Sequence, residues 1–206
     1  AYSRMARDAG IEMTECRLHE EGPRRHFMTR RFERTADGEK LHVQSLGAIA
    51  HFDYNAAGAC SYEQAFEVMR RLGLPHTALE QQFRRMVFNV VARNQDDHVK
   101  NIAFLMDKTG RWSLSPAYDV AYSYEPKGAW TATHQMTING KRDDFTVEDL
   151  RAVGTVAGLK RGQAEAIHDE VRAVVARWRE YADAQRVPVA QREGVQRNLR
   201  LALPRS

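Results

Sequence analysis

Asp96 and Asn101 stand five positions apart in the run Asn94-Gln95-Asp96-Asp97-His98-Val99-Lys100-Asn101, between an apolar helical pattern and an apolar strand pattern. That spacing suits a phosphoryl-transfer loop: the carboxylate meets a substrate hydroxyl while the loop curls back and the amide oxygen reaches a magnesium ion. Downstream, residues 102–106 and 111–114 flank the turn Asp107-Lys108-Thr109-Gly110, so a hairpin is predicted that returns Asp119 to the place where Asn101 begins. Asn101 and Asp119 then offer hard oxygen ligands to one magnesium. Asp96 is left free to orient the nucleophile.

Each of these residues has a plainer reading. Asp97, with no assigned partner, is expected to cap a helix or sit solvated in the loop. A lone His98 is ordinarily a hydrogen-bonded structural histidine, and its place two after Asp96 is what suggests a phosphate contact. Asn101 alone is a turn residue, Asp119 alone the start of a helix, and Lys100 a solvated cation. The joint placement of Asn101 and Asp119 around one hairpin is what favours the chemical reading. Tyr122, Tyr124, Trp130 and Trp178 are read as packing residues.

The positioning elements follow from periodicity. A helix is predicted over residues 2–9 with Gly10 as its stop, strands over 13–18 and 26–32 around Glu20-Glu21-Gly22-Pro23, and a short strand over 40–43. Ser45 is read as the cap of a short helix reaching Ile49. Ser61 with Gln64 reads as a capping box for a helix that Gly73 ends. Thr77 with Glu80 repeats the box, ahead of an apolar face of Leu79, Phe83, Met86, Val87, Val90 and Val91 that ends near Ala92. That buried helix is expected to hold the Asp96 loop rigid. Residues 135–138 read as a strand closed by Asn139-Gly140. Thr146 and Asp149 open a helix to about Val156, residues 162–185 form one longer helix, and a last helix follows Arg186.

Composition bounds the class. The 206 residues suffice for one sizeable core or two small ones. Two cysteines, Cys16 and Cys60, stand far apart in no ligand spacing, which argues against a disulfide framework and a structural zinc and favours the cytoplasm. No apolar run reaches membrane-spanning length, and no secretory signal is read at the start. The net charge of +4 permits a nucleotide without demanding nucleic acid.

Two linked motifs, Asp96-Asp97-His98-Val99-Lys100-Asn101 and Ser115-Pro116-Ala117-Tyr118-Asp119, supported by Ile138-Asn139-Gly140-Lys141-Arg142 and Arg31-Phe32-Glu33-Arg34, make the chain resemble the HipA-like toxin kinases of bacterial toxin-antitoxin modules. The resemblance runs from near residue 1 to about residue 180. It implies an α+β, protein-kinase-like fold: residues 1–60 as a partial β-rich N-lobe with hinge and linker, and 61–206 as a mostly helical catalytic lobe. It implies Asp96 as catalytic base, Asn101 and Asp119 as magnesium ligands, and His98, Val99, Lys100, Asn101 and Tyr118 lining an ATP site. Thr29, Arg30, Arg31 and Phe32 match the family's hinge, where backbone groups bind adenine, although Arg30 stands where an acid is common.

A Gly-rich phosphate loop and a strand lysine, which the family carries upstream, have no counterpart here. The expectation is therefore the C-terminal catalytic portion of a protein serine/threonine kinase, either truncated or split, with weak ATP binding and little turnover alone. The implied partners are a Ser/Thr protein substrate and a small DNA-binding antitoxin of the HipB type, without base reading or membrane attachment by this chain. Two alternatives stand beside it: a kinase-shaped binding module that docks a partner or DNA through its basic segments, and a metal-dependent phosphohydrolase, for which His51 and His76 supply no convincing ligand spacing.

Overall fold

The computed structural model describes residues 1–205. Its elements in order are α1 (Tyr2–Asp8), β1 (Cys16–Glu21), β2 (Arg24–Thr29), β3 (His42–Ser45), α2 (Leu46–Ala50), α3 (Tyr62–Arg71), α4 (His76–Val91), β4 (Ala103–Met106), β5 (Trp112–Leu114), α5 (Val147–Val156), α6 (Gln163–Val175), α7 (Trp178–Ala184) and α8 (Val189–Asn198). It is a mixed α/β arrangement with two small antiparallel sheets, β1-β2 and β3-β4-β5.

Helix α4 runs through the core because its apolar residues fall on helical spacing: Leu79, Phe83, Met86, Val87, Phe88, Val90 and Val91 are all buried. Each fully buried Phe contributes about 2–3 kcal/mol of transfer free energy, so this helix makes a stiff platform for the loop that leaves its C-terminus. The same cluster takes in Tyr2, Met5 and Ala6 of α1, Tyr62 and Phe66 of α3, Ile167 and Val171 of α6, and Trp178 of α7. The predicted hairpin forms, with Phe104 opposite Leu114 and Met106 opposite Trp112. Strand β3 adds to its other edge, Ser45 facing Ala103, and Ser45 then caps α2 by accepting from the Ala48 N–H.

Both capping boxes read at Ser61/Gln64 and Thr146/Asp149 are present. The box read at Thr77/Glu80 is not. Pro75 is the N-cap of α4, so the helix is already under way at Thr77, and the Glu80 carboxylate instead accepts from Gln163. The strand read over 135–138 is replaced by single bridges, Thr137 to Ser61 and Ile138 to Lys141, which bury Met136 and Ile138 without a ladder. The long helix read over 162–185 breaks between α6 and α7, and the break lets Trp178 pack edge-on against Tyr2 while the Tyr181 hydroxyl donates to Asp8 at 2.6 Å. Trp178 is a core residue as read, whereas Trp130 is 55% exposed. The first strands shift by a few residues, so Arg30, Arg31 and Phe32 lie beyond β2. No described helix is long and apolar enough to cross a membrane.

Candidate active site

The chain leaves α4 through Arg93, which takes a left-handed backbone (φ 56°), and enters the loop under several restraints. The Asn94 amide donates to Asn89 Oδ1 at 2.9 Å, and the Gln95 N–H donates to the Ser123 carbonyl at 3.1 Å. Within the loop the Asn101 N–H donates to the His98 carbonyl, and Asn101 Nδ2 donates to the Asp96 carbonyl, each at 2.8 Å. The amide nitrogen is thereby committed to the loop itself, which leaves the Asn101 oxygen for a cation. Val99 is buried and forms the floor: the Gly47 N–H donates to its carbonyl at 3.1 Å, and a Cβ at Gly47 would sit 3.0 Å from Val99 Cγ2. The Asp96 side chain is 44% exposed, with its Oδ1 3.8 Å from His98 Nε2.

Asp119 returns as the hairpin requires. The Ser115 N–H donates to the Ala103 carbonyl at 2.9 Å, and buried Arg85 on α4 donates to the Ser115 carbonyl at 2.8 Å. The Tyr118 hydroxyl donates to the Lys100 carbonyl, tying the two motifs directly. Asp119 itself takes a left-handed φ of 53° and stays exposed. The result is one cleft lined by Asp97, His98, Asn101, Tyr118, Asp119 and Arg85. An adjoining hollow shares Tyr118 and Asp119 and adds Thr29 and Met13. The Phe32 ring packs 5.4 Å from Tyr118. Of the four hinge positions Thr29 lines the adjoining hollow and Phe32 packs on Tyr118 without lining either; Arg30 and Arg31 are exposed outside both, and Arg31 pairs with Glu33. Lys100 is exposed with its Nζ 3.3 Å over the Tyr54 ring, whose edge meets His98.

Burial raises the Tyr118 hydroxyl to about 12, with the Asp119 carboxylate beside it acting in the same direction. The phenol is therefore a hydrogen-bond donor throughout the physiological range. Burial likewise pulls Arg85 down to about 10, still a cation at neutral pH.

Asp97 departs from its solvated reading. It is buried, and its carboxylate accepts three hydrogen bonds of 2.8 Å, from the Tyr62 hydroxyl, the His134 imidazole and the Gln135 N–H. Burial alone would raise this carboxyl; the His134 ring and the donated hydrogen bonds outweigh it and hold the group below the ordinary carboxylate range. None of Tyr62, His134, Gln135 or Arg85 was singled out from the sequence for a place in the site. Their partners lie tens of residues away, and no spacing signals such contacts.

Magnesium fits this donor set. An amide oxygen freed by its own nitrogen's tether and an exposed carboxylate face one cleft, which is what an ion that keeps several waters and phosphate oxygens asks of a protein. Among the described residues no group of three or more His, Cys, Asp or Glu side chains converges to hold a metal. A two-metal hydrolase centre thus finds no support.

The description "HipA-like C-terminal domain" matches residues 1–178. "Putative kinase Y4mE" of Sinorhizobium fredii is 26% identical over 203 residues, and a "Putative kinase" of Haemophilus influenzae is 29% identical over 132 residues. These matches cover 89% and 58% of this chain but 48% and 38% of the relatives. Among solved structures, HipA of Shewanella oneidensis MR-1, in complex with HipB and operator DNA, superposes with a TM-score of 0.74 at 18% identity, over 94% of this chain and 50% of that one. The chain thus spans half or less of the length of each of these three proteins.

Proposed function

The chain belongs to the HipA-like C-terminal domain family, and from that premise we propose that it is the catalytic portion of a kinase of the toxin-antitoxin type. The fold is read as protein-kinase-like, with ATP and magnesium as cofactors and a protein Ser or Thr hydroxyl as acceptor. The observation that carries this reading is the meeting of the two motifs: Asn101, with its nitrogen tied to the Asp96 carbonyl, and Asp119, after the hairpin, line the same cleft.

Asp96 is not part of the cleft lining but lies 3.8 Å from His98, which is; in this reading it accepts the proton of an incoming hydroxyl. Asn101 and Asp119 would hold the magnesium, which when bound neutralises charge on the transferred phosphoryl group. Thr29 borders the hollow beyond Tyr118, and Phe32 packs on Tyr118 itself; an adenine base is accommodated there in this reading. Positioning contributes most of the rate in such reactions, and the chain spans about half of its relatives. Full activity is accordingly assigned to an assembly in which a phosphate-cradling portion completes this one. A HipB-like antitoxin is the proposed partner, on the strength of the HipA neighbour found with HipB and operator DNA.

Two substitutions test the roles in the completed kinase. Asp119→Ala should abolish magnesium-dependent ATP binding in calorimetric titrations, while Asp96→Ala should keep binding and lower turnover by about a hundredfold or more. Wild-type turnover in both variants would sink the assignment, and wild-type ATP binding without any transfer would favour a kinase-shaped binding module.

A further inference from the structure

The family match ends at residue 178, yet the segment after α8 reaches back to the end of α4 and to His134, the partner of Asp97. Its path is fixed at three points. The Arg93 side chain donates to the Asn198 carbonyl at 2.8 Å, the Arg200 N–H donates to the Val91 carbonyl at 2.9 Å, and the Val147 N–H donates to the Pro204 carbonyl at 2.9 Å. The segment therefore straps the end of α4 to the start of α5. At its centre the Arg200 guanidinium pairs with Asp143, lies 5.3 Å from the Phe145 ring, and sets Nη1 3.2 Å from Nε2 of fully buried His134.

A guanidinium has hydrogens to donate and no lone pair to accept. His134 Nε2 must then accept, so the ring proton sits on Nδ1, 2.8 Å from Asp97. The imidazole is thereby held in one tautomer and one orientation by contacts on both nitrogens, and the orienting cation comes from the far end of the chain. Asp97 is joined to Asp96 by a peptide whose carbonyl is in turn gripped by Asn101 Nδ2. The unit that carries the base is clamped from both sides.

We propose that the 198–204 strap positions the catalytic loop: Arg200 orients His134, His134 anchors Asp97, and Asp97 fixes the peptide that aims Asp96. The inference rests on the reading of Asp96 to Asn101 as the phosphoryl-transfer loop. Arg200 and His134 are positioning residues; neither lines the cleft. Burial, with Arg93 adding to it, pulls the Arg200 guanidinium down to about 10, in keeping with a cation withdrawn from water to serve one partner set.

The test uses the full chain and does not depend on turnover. Nitrogen-detected imidazole NMR of the unmodified protein should show His134 protonated on Nδ1; an Nε2-protonated ring overturns the proposal before any variant is made. In Arg200→Met amide exchange over residues 94–101 should accelerate about tenfold, with α6 changed less than about twofold. Arg200→Lys, which keeps a donor, should restore most of the protection. Equal acceleration in α6, no acceleration over residues 94–101, or the same loop acceleration in Asp143→Asn would each reduce Arg200 to general packing. In the completed kinase, kcat should fall about tenfold in Arg200→Met and recover in Arg200→Lys. If wild-type kinase transfers no phosphate while tautomer and exchange behave as stated, the phosphoryl-transfer reading fails and the strap stands.

Discussion

Asp97 shows how a residue's role is decided by what it touches. Sequence places it beside Asp96 with nothing to do, whereas folding gives it partners 35, 37 and 38 positions away. Removing it leaves a buried hydroxyl, an imidazole N–H and a backbone N–H unpaired, so Asp97→Ala should cost about 3–5 kcal/mol at neutral pH. The acid limb carries the sign. Its native carboxyl titrates below the unfolded value of about 3.9, so its stabilisation is complete above that value and drains away as pH falls through the native one. Urea unfolding between neutral pH and about pH 3 should give a shallower acid dependence for Asp97→Ala than for wild type; parallel curves would mean the network contributes nothing. That Asn101 and Asp119 line one cleft was legible because a short hairpin joins them. Asp97 was not, because burial depends on distant elements.

At the scale of elements, local chemistry was read well where it closes within a few residues and poorly where packing overrode it. The Ser61 and Thr146 boxes need four consecutive residues and both form. At Thr77 the same pattern fails because Pro75 already supplies the extended residue that precedes the first turn. The α6–α7 break has no Gly or Pro to announce it, since it serves the contacts of Trp178 and Tyr181 with α1. Energetics should follow suit. Ser61→Ala should cost about 1 kcal/mol, and Thr77→Ala less than about 0.5 kcal/mol. Asp149→Ala should cost about 2–3 kcal/mol, because buried Asp149 accepts from the Thr146 N–H and hydroxyl, from Asn139 and from Lys141. Denaturation midpoints of the three variants check the order; a Thr77 loss equal to that of Ser61 would show that its hydroxyl does cap.

Across the whole molecule the core and the β1-β2 hairpin sit at opposite ends of local stability. One apolar cluster joins α1, α3, α4, α6 and α7, whereas every β2 residue and all of β1 except half-buried Cys16 are exposed, Phe27 by 64%. A lone two-stranded ribbon is marginal in water, and its ties to the rest include the Arg25 contact with the Gln185 carbonyl at 3.1 Å. Amides of residues 17–28 should therefore exchange orders of magnitude faster than those in the middle of α4, which open only with global unfolding. The hairpin's base nevertheless carries Thr29 to the hollow shared with Tyr118 and Asp119. In the completed kinase, saturating magnesium-ATP should slow exchange from Met28 to Phe32 while the turn at Gly22 and Pro23 stays fast. Protection at the turn alone, or none at the base, would remove the hinge positions from the proposed nucleotide site.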